Sequence, residues 1–165
     1  VAAGLLLFTI VLKETKFLNK FRKQKIQPAL FLLLSLVFFS CSNNNAVPIK
    51  LNVDNCDFCG MSIADGKFAA ELITEKGRDY KFDDILCMMN YCKENSDTKI
   101  GAYYVNDFAQ DNVLISANTA FFLSGGEIKS PMRGGIIAFS NEAEAKKFNI
   151  KLGAQPITWE AILSK

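Results

Sequence analysis

The stretch Lys67–Glu94, KFAAELITEKGRDYKFDDILCMMNYCKE, changes its periodicity twice, and those changes set the fold class. Lys67–Thr74 suits a pleated surface and reads as a strand closed by the turn Glu75-Lys76-Gly77. Arg78–Phe82 alternates polar and apolar residues and reads as its hairpin partner. Asp83 or Asp84 then offers a carboxylate cap. Ile85, Leu86, Met89 and Cys92 recur at helical spacing, so a helix is expected over Asp84–Glu94.

Outward from this core the same alternation continues. Ala102–Phe108, Val113–Ser116, Ala120–Leu123 and Gly135–Phe139 read as further short strands. Asn141 caps a helix expected over Glu142–Phe148, and Pro156–Leu163 reads as a terminal helical turn around Trp159. Short strands interleaved with two main helices predict an α+β fold with small mixed or antiparallel sheets. The order hints at a duplicated strand-strand-helix-strand unit, although the halves share too little identity to count as a sequence repeat.

The chain has 165 residues, room for one domain and hardly for two. Its 19 basic and 17 acidic residues are unevenly placed: six bases and one acid fall in 1–40, which leaves 41–165 with a net charge of −3. The folding part therefore offers no electrostatic footprint for nucleic acid.

The first forty residues read as an address. A short apolar run, Val1–Val11, is followed by Lys20, Arg22, Lys23 and Lys25 and a second apolar run, Pro28–Phe39. A basic region ahead of a short apolar one is the pattern of an export signal. Val37-Phe38-Phe39-Ser40-Cys41 resembles the lipobox of bacterial lipoproteins, with Phe38 where Leu is usual. The resemblance implies removal of 1–40, acylation of Cys41 and a lipid anchor in the cell envelope, facing the periplasm. Residues 41–49 would be the acylated cysteine and its polar tether, and 50–165 the functional domain. An uncleaved signal-anchor made of both apolar runs is the rival reading.

Histidine is absent, which removes Ser-His and Cys-His catalysis and every imidazole metal site. Sulfur remains, in five cysteines and four methionines. Cys56-Asp57-Phe58-Cys59-Gly60-Met61 puts three soft donors within six residues, and Gly60 frees the backbone to turn. A CxxC pair alone is open to several readings: half of a zinc site completed by Cys87 and Cys92, a thiol redox pair, a structural disulfide, or a Cu(I) site. Thiolate and thioether donors together select Cu(I). Met132 fits that last reading, because it sits on the Pro/Gly-rich loop Ser130–Gly135 rather than inside an element. Cys87 and Met88 read mainly as helix packing, Cys92 as core, and the Asp83-Asp84 pair as a helix cap rather than a general-acid pair.

Taken in order, Cys59-Gly60-Met61, the strand Lys67–Thr74, Phe82–Met88, Ala102–Phe108 and Pro131–Phe139 resemble the NosL family over about 50–150. These are copper-binding lipoproteins linked to maturation of nitrous oxide reductase. The resemblance implies Cu(I) bound by Cys59, Met61 and Met132, with Cys56 an additional thiolate, and delivery to an apo-cuproenzyme. It implies a carrier rather than an enzyme. Arg133 stands where many relatives have a small residue. Three ligands from one chain also leave room for a metal bridging two copies. The competing function is a thiol redox enzyme or an organomercurial-lyase-like enzyme using Cys56, Cys59 and Cys87, since that lyase resembles NosL in fold.

Overall fold

The computed structural model describes residues 44–164. The expected export segment 1–40 and Cys41 lie outside the described residues. Strand β1 (Ala70–Thr74) is buried along its whole length, which makes it the centre of a sheet. It pairs antiparallel with β2 (Asp79–Phe82) and with β3 (Ile100–Asn106), and β4 (Leu114–Ser116) extends the far edge of β3. Helix α1 (Ile85–Glu94) connects β2 to β3 and buries Ile85, Cys87, Met88 and Met89.

The second half repeats this wiring. Strand β5 (Phe121–Ser124) pairs antiparallel with β6 (Ile136–Phe139) and with β7 (Gln155–Ile157), and helix α2 (Glu142–Leu152) connects β6 to β7. Both halves place the first strand between the second and third, giving orders β2-β1-β3 and β6-β5-β7. The strand-strand-helix-strand duplication expected from the order of elements is therefore present in the topology. The two sheets meet where Asp107 bridges Ala138 and the Phe108 N–H donates to the Ala138 carbonyl at 2.8 Å.

Several boundaries differ from expectation for identifiable reasons. The first strand begins at Ala70 rather than Lys67, because Asp65 accepts from the Lys67 N–H and holds the preceding residues in a turn. Helix α2 runs four residues past Phe148, to a left-handed Gly153 cap. Its last turn was hidden because Ile150, apolar by type, faces solvent at 87% exposure. Pro156 belongs to strand β7 rather than to a helical turn. β7 is an edge strand, where a residue without an N–H is tolerated. Helix α3 (Trp159–Leu163) follows, capped by Thr158.

A large core of Leu72, Phe82, Met88, Val105, Phe122 and Ile162 lies between the first sheet, α1 and the start of the second sheet. Trp159 closes it, with its ring 5.2 Å from Tyr103 and 5.5 Å from Phe122. A smaller core of Leu123, Ile137 and Phe139 lies under α2. No helix among the described residues is long and apolar enough to cross a membrane.

The segment from Asn44 to Pro48 is held to the first sheet by a row of polar residues. Lys81, Glu71 and Tyr104 are cross-strand neighbours. Tyr104 donates its hydroxyl to the Asn44 carbonyl at 2.8 Å, Glu71 accepts from the Val47 N–H at 3.0 Å, and Lys81 reaches the Pro48 carbonyl at 3.3 Å. The polar stretch expected to act as a tether thus grips the domain from Asn44 onward.

Candidate metal centre

The loop carrying Cys56 and Cys59 is a small ladder folded back on itself. Asn52 donates to Ile63, Ile63 to Asp54, and Cys56 to the Met61 carbonyl at 2.7 Å. The loop turns at Gly60, whose φ of 75° is open to glycine and costly to most other residues. The Gly60 N–H returns to the Cys56 carbonyl at 2.9 Å. This closure points Cys56 into the protein, where it is 2% exposed, and leaves Cys59 half-buried and Met61 at 44% exposure.

Strand β2 holds the loop from the side. Asp57 and Lys81 exchange hydrogen bonds of 2.8 and 2.7 Å, and the Lys81 ammonium pairs with Asp54 at 2.7 Å. The polypeptide then leaves β2 through Phe82 into Asp83 and Asp84. Asp84 adopts an extended conformation and caps α1 by accepting from the Leu86 N–H at 2.8 Å. That assignment frees Asp83 to face the cysteine loop.

The result is a cluster of Cys56, Cys59, Asp83 and Cys87, whose sulfur and carboxylate oxygen atoms all lie within 4.8 Å of one another. Cys59 donates its S–H toward Asp83 Oδ1 at 3.7 Å. The other oxygen, Asp83 Oδ2, is buried without a hydrogen-bond partner. An unpartnered buried carboxylate oxygen is costly, and its neighbours here are thiols. Burial pushes the Cys56 thiol up to about 11. Burial, reinforced by Asp83 and Cys56, raises Cys87 further. Both thiols are thus protonated without a cation. A metal that displaces those protons would supply the missing positive charge.

The cluster includes two of the expected Cu(I) donors, Cys56 and Cys59, and adds Cys87 and Asp83. Cys87 was read mainly as packing because helical spacing buries it, and as a functional thiol only in the zinc and thiol-enzyme readings. Asp83 was read together with Asp84 as a cap, whereas only Asp84 caps. The signal available in the sequence was the pair itself, since one cap position needs one carboxylate. All four cysteines among the described residues are free thiols, so no Cys56–Cys59 disulfide and no Cys87–Cys92 bond is formed.

Met132 reaches the same corner by a different route. Its N–H donates to Asp84 Oδ2 at 3.0 Å, so one carboxylate caps α1 and ties down the methionine loop. Gly134 permits this approach: a Cβ there would lie 2.7 Å from both Asp84 Oδ1 and the Leu86 Cβ. Arg133 occupies the left-handed region at φ 60°, after a turn in which its N–H donates to Ser130 at 3.0 Å. A left-handed position is costly to a side chain as large as that of Arg133. The Cys56–Met61 loop and the Ser130–Gly135 loop therefore converge on the N-terminus of α1. Met132 is half-buried against the large core.

The NosL family model matches residues 48–165. Among solved structures, the crystal structure of the copper chaperone NosL from Shewanella denitrificans matches with a TM-score of 0.62 at 21% identity, covering 72% of this chain and 95% of that one. At that identity the likeness is one of fold. No curated protein matches the sequence.

Proposed function

The chain belongs to the NosL family, and from that premise we propose that it is a Cu(I) carrier of the bacterial envelope that hands its ion to an exported cuproenzyme. The cargo would be held by Cys59, Met61, Met132 and Cys56. The observation that carries this reading is the meeting of a cysteine loop and a methionine loop at one helix terminus. The cysteine loop is fixed by hydrogen bonds within itself and to Lys81, and the methionine loop by the Met132 N–H to the Asp84 carboxylate, with no imidazole in the sequence. Thiolate and thioether together favour Cu(I), and thioether discriminates against harder ions.

The exposure of the donors suits transfer. Cys59 is half-buried and Met61 is 44% exposed, so an incoming protein can add a ligand before these leave. The recipient is proposed to be nitrous oxide reductase, on the strength of the family resemblance. Membrane attachment through an acylated Cys41 rests on the lipobox-like Val37–Cys41. The solved relative's description as a copper chaperone supports the same reading.

Competition with a chromogenic Cu(I) chelator under anaerobic conditions tests it. Wild-type protein is expected to bind Cu(I) tightly, and Cys59→Ser to lose about 100-fold or more in affinity, roughly 2.7 kcal/mol. Met61→Leu with Met132→Leu should make transfer to the chelator slower and remove thioether coordination. A thiol-only chemistry would be indifferent to the methionine pair, so unchanged binding and transfer in that double variant would refute the carrier reading.

A further inference from the structure

Cys56, Cys59 and Cys87 stand together around Asp83, and Cys87 is a donor that the carrier reading leaves unused. We propose that these three thiols form a second, inner Cu(I) station that retains the ion, and that Cys59 passes it outward to Met61 and Met132 for release. This deepens the proposed function and rests on it.

A burial gradient runs through the cluster. Cys87 is 0% exposed and Cys56 2%, Cys59 and Met132 are half-buried, and Met61 is 44% exposed. Cys59, half-buried and two residues from Met61, is the donor kept throughout, so exchange between stations needs only that its bond persist while others form and break. Thiolates hold Cu(I) more firmly than neutral thioethers, which makes the buried set the retaining one. The inner donors come from two separate elements, the Cys56–Met61 loop and α1, within 4.8 Å of one another. Asp83 lies among them with one buried oxygen that no group in the protein satisfies. That unpartnered oxygen, buried among the sulfurs, is a second mark of a pocket prepared for a cation.

Loading balances as Cu⁺ plus thiols giving a Cu(I)–thiolate complex, with one proton released to solvent for each thiolate formed. No electron is transferred. Passage outward exchanges the Cys56 and Cys87 sulfurs for the Met61 and Met132 sulfurs at constant oxidation state, and the two departing thiolates take protons back from solvent.

The test uses Cu(I) alone as probe. Cys56→Ser with Cys87→Ser is expected to lower affinity at least 100-fold and to speed transfer to a chromogenic chelator. Met61→Leu with Met132→Leu is expected to keep affinity within a few-fold of wild type and to slow transfer at least tenfold. Because Cys87 is core, Cys87→Val, which keeps the volume apolar, is measured alongside. It should reproduce most of the affinity loss with an unchanged circular dichroism spectrum. Wild-type affinity in both cysteine variants would overturn the inner station while leaving the carrier reading intact. So would one equivalent of Zn²⁺ displacing Cu(I) from these thiols. No Cu(I) binding by the wild-type protein would instead overturn the carrier reading itself.

Discussion

At the scale of single residues, the described residues bury four carboxyl groups, Glu71, Asp83, Asp84 and Asp107, and Glu71 is the one on the central strand of the first sheet. Glu71 is fully buried on the central strand, and burial, opposed by its hydrogen bond from Val47, lifts its carboxyl from 4.5 to about 7. Asp79 pushes in the same direction and Lys81 opposes it. A carboxyl whose folded value lies above its unfolded value favours the folded state when protonated. Stability should therefore be highest below about pH 4.5 for this group and fall as the pH rises to about 7, by up to roughly 3 kcal/mol. Urea denaturation from pH 4.5 to 8 checks this. Glu71→Gln should flatten that slope, and an identical slope in the variant would assign it elsewhere. Glu71 could not be singled out in the sequence, because a glutamate in an alternating strand normally faces water. It is buried because the chain from Asn44 to Pro48 lies over it. Cys59 was legible by contrast, since its neighbours Gly60 and Met61 already mark a turn carrying two soft donors.

At the scale of elements, the junction between β2 and α1 organises the site. Asp84 accepts from Leu86 at the helix start and from Met132 in a loop 48 residues away. Asp84→Ala should therefore cost about 1–3 kcal/mol, more than an isolated cap, because two donors lose their acceptor. Amide hydrogen exchange at Met132 should accelerate along with that at Leu86. Acceleration at Leu86 alone would mean that the methionine loop is held by other contacts. The hairpin and the helix after it were readable from periodicity and from the Asp pair. What the pattern could not give was the division of labour between the two aspartates, which depends on backbone direction: Asp84 is extended, its side chain turns to the helix, and Asp83 is left facing the sulfurs. Strand β7 was missed for a related reason. Its Pro156 reads as a breaker until the sheet order places it on an edge.

At the scale of the molecule, two copies of one strand-strand-helix-strand unit differ in use. The first carries the cysteine loop on its edge and the thiol Cys87 on its helix. The second supplies the methionine loop from the connection between β5 and β6. A metal bound at their meeting point would tie loop 50–63, α1 and loop 130–135 together. Binding that favours only the folded state adds stability, about 2.7 kcal/mol at free ligand 100-fold above Kd. Anaerobic loading with Cu(I) should raise the thermal midpoint by several degrees, and Cys59→Ser should abolish the rise. The α+β class and the order of elements could be read because short strands and capped helices leave local signatures. The gathering of Cys56, Cys87 and Asp83 could not, since it depends on which face of α1 meets an edge strand.

The account stands on sulfur holding the cargo. X-ray absorption of the wild-type protein loaded anaerobically with one equivalent of Cu(I) reads that directly. A reduced-copper edge with a shell of sulfur scatterers is the predicted result. A first shell of oxygen or nitrogen would contradict it.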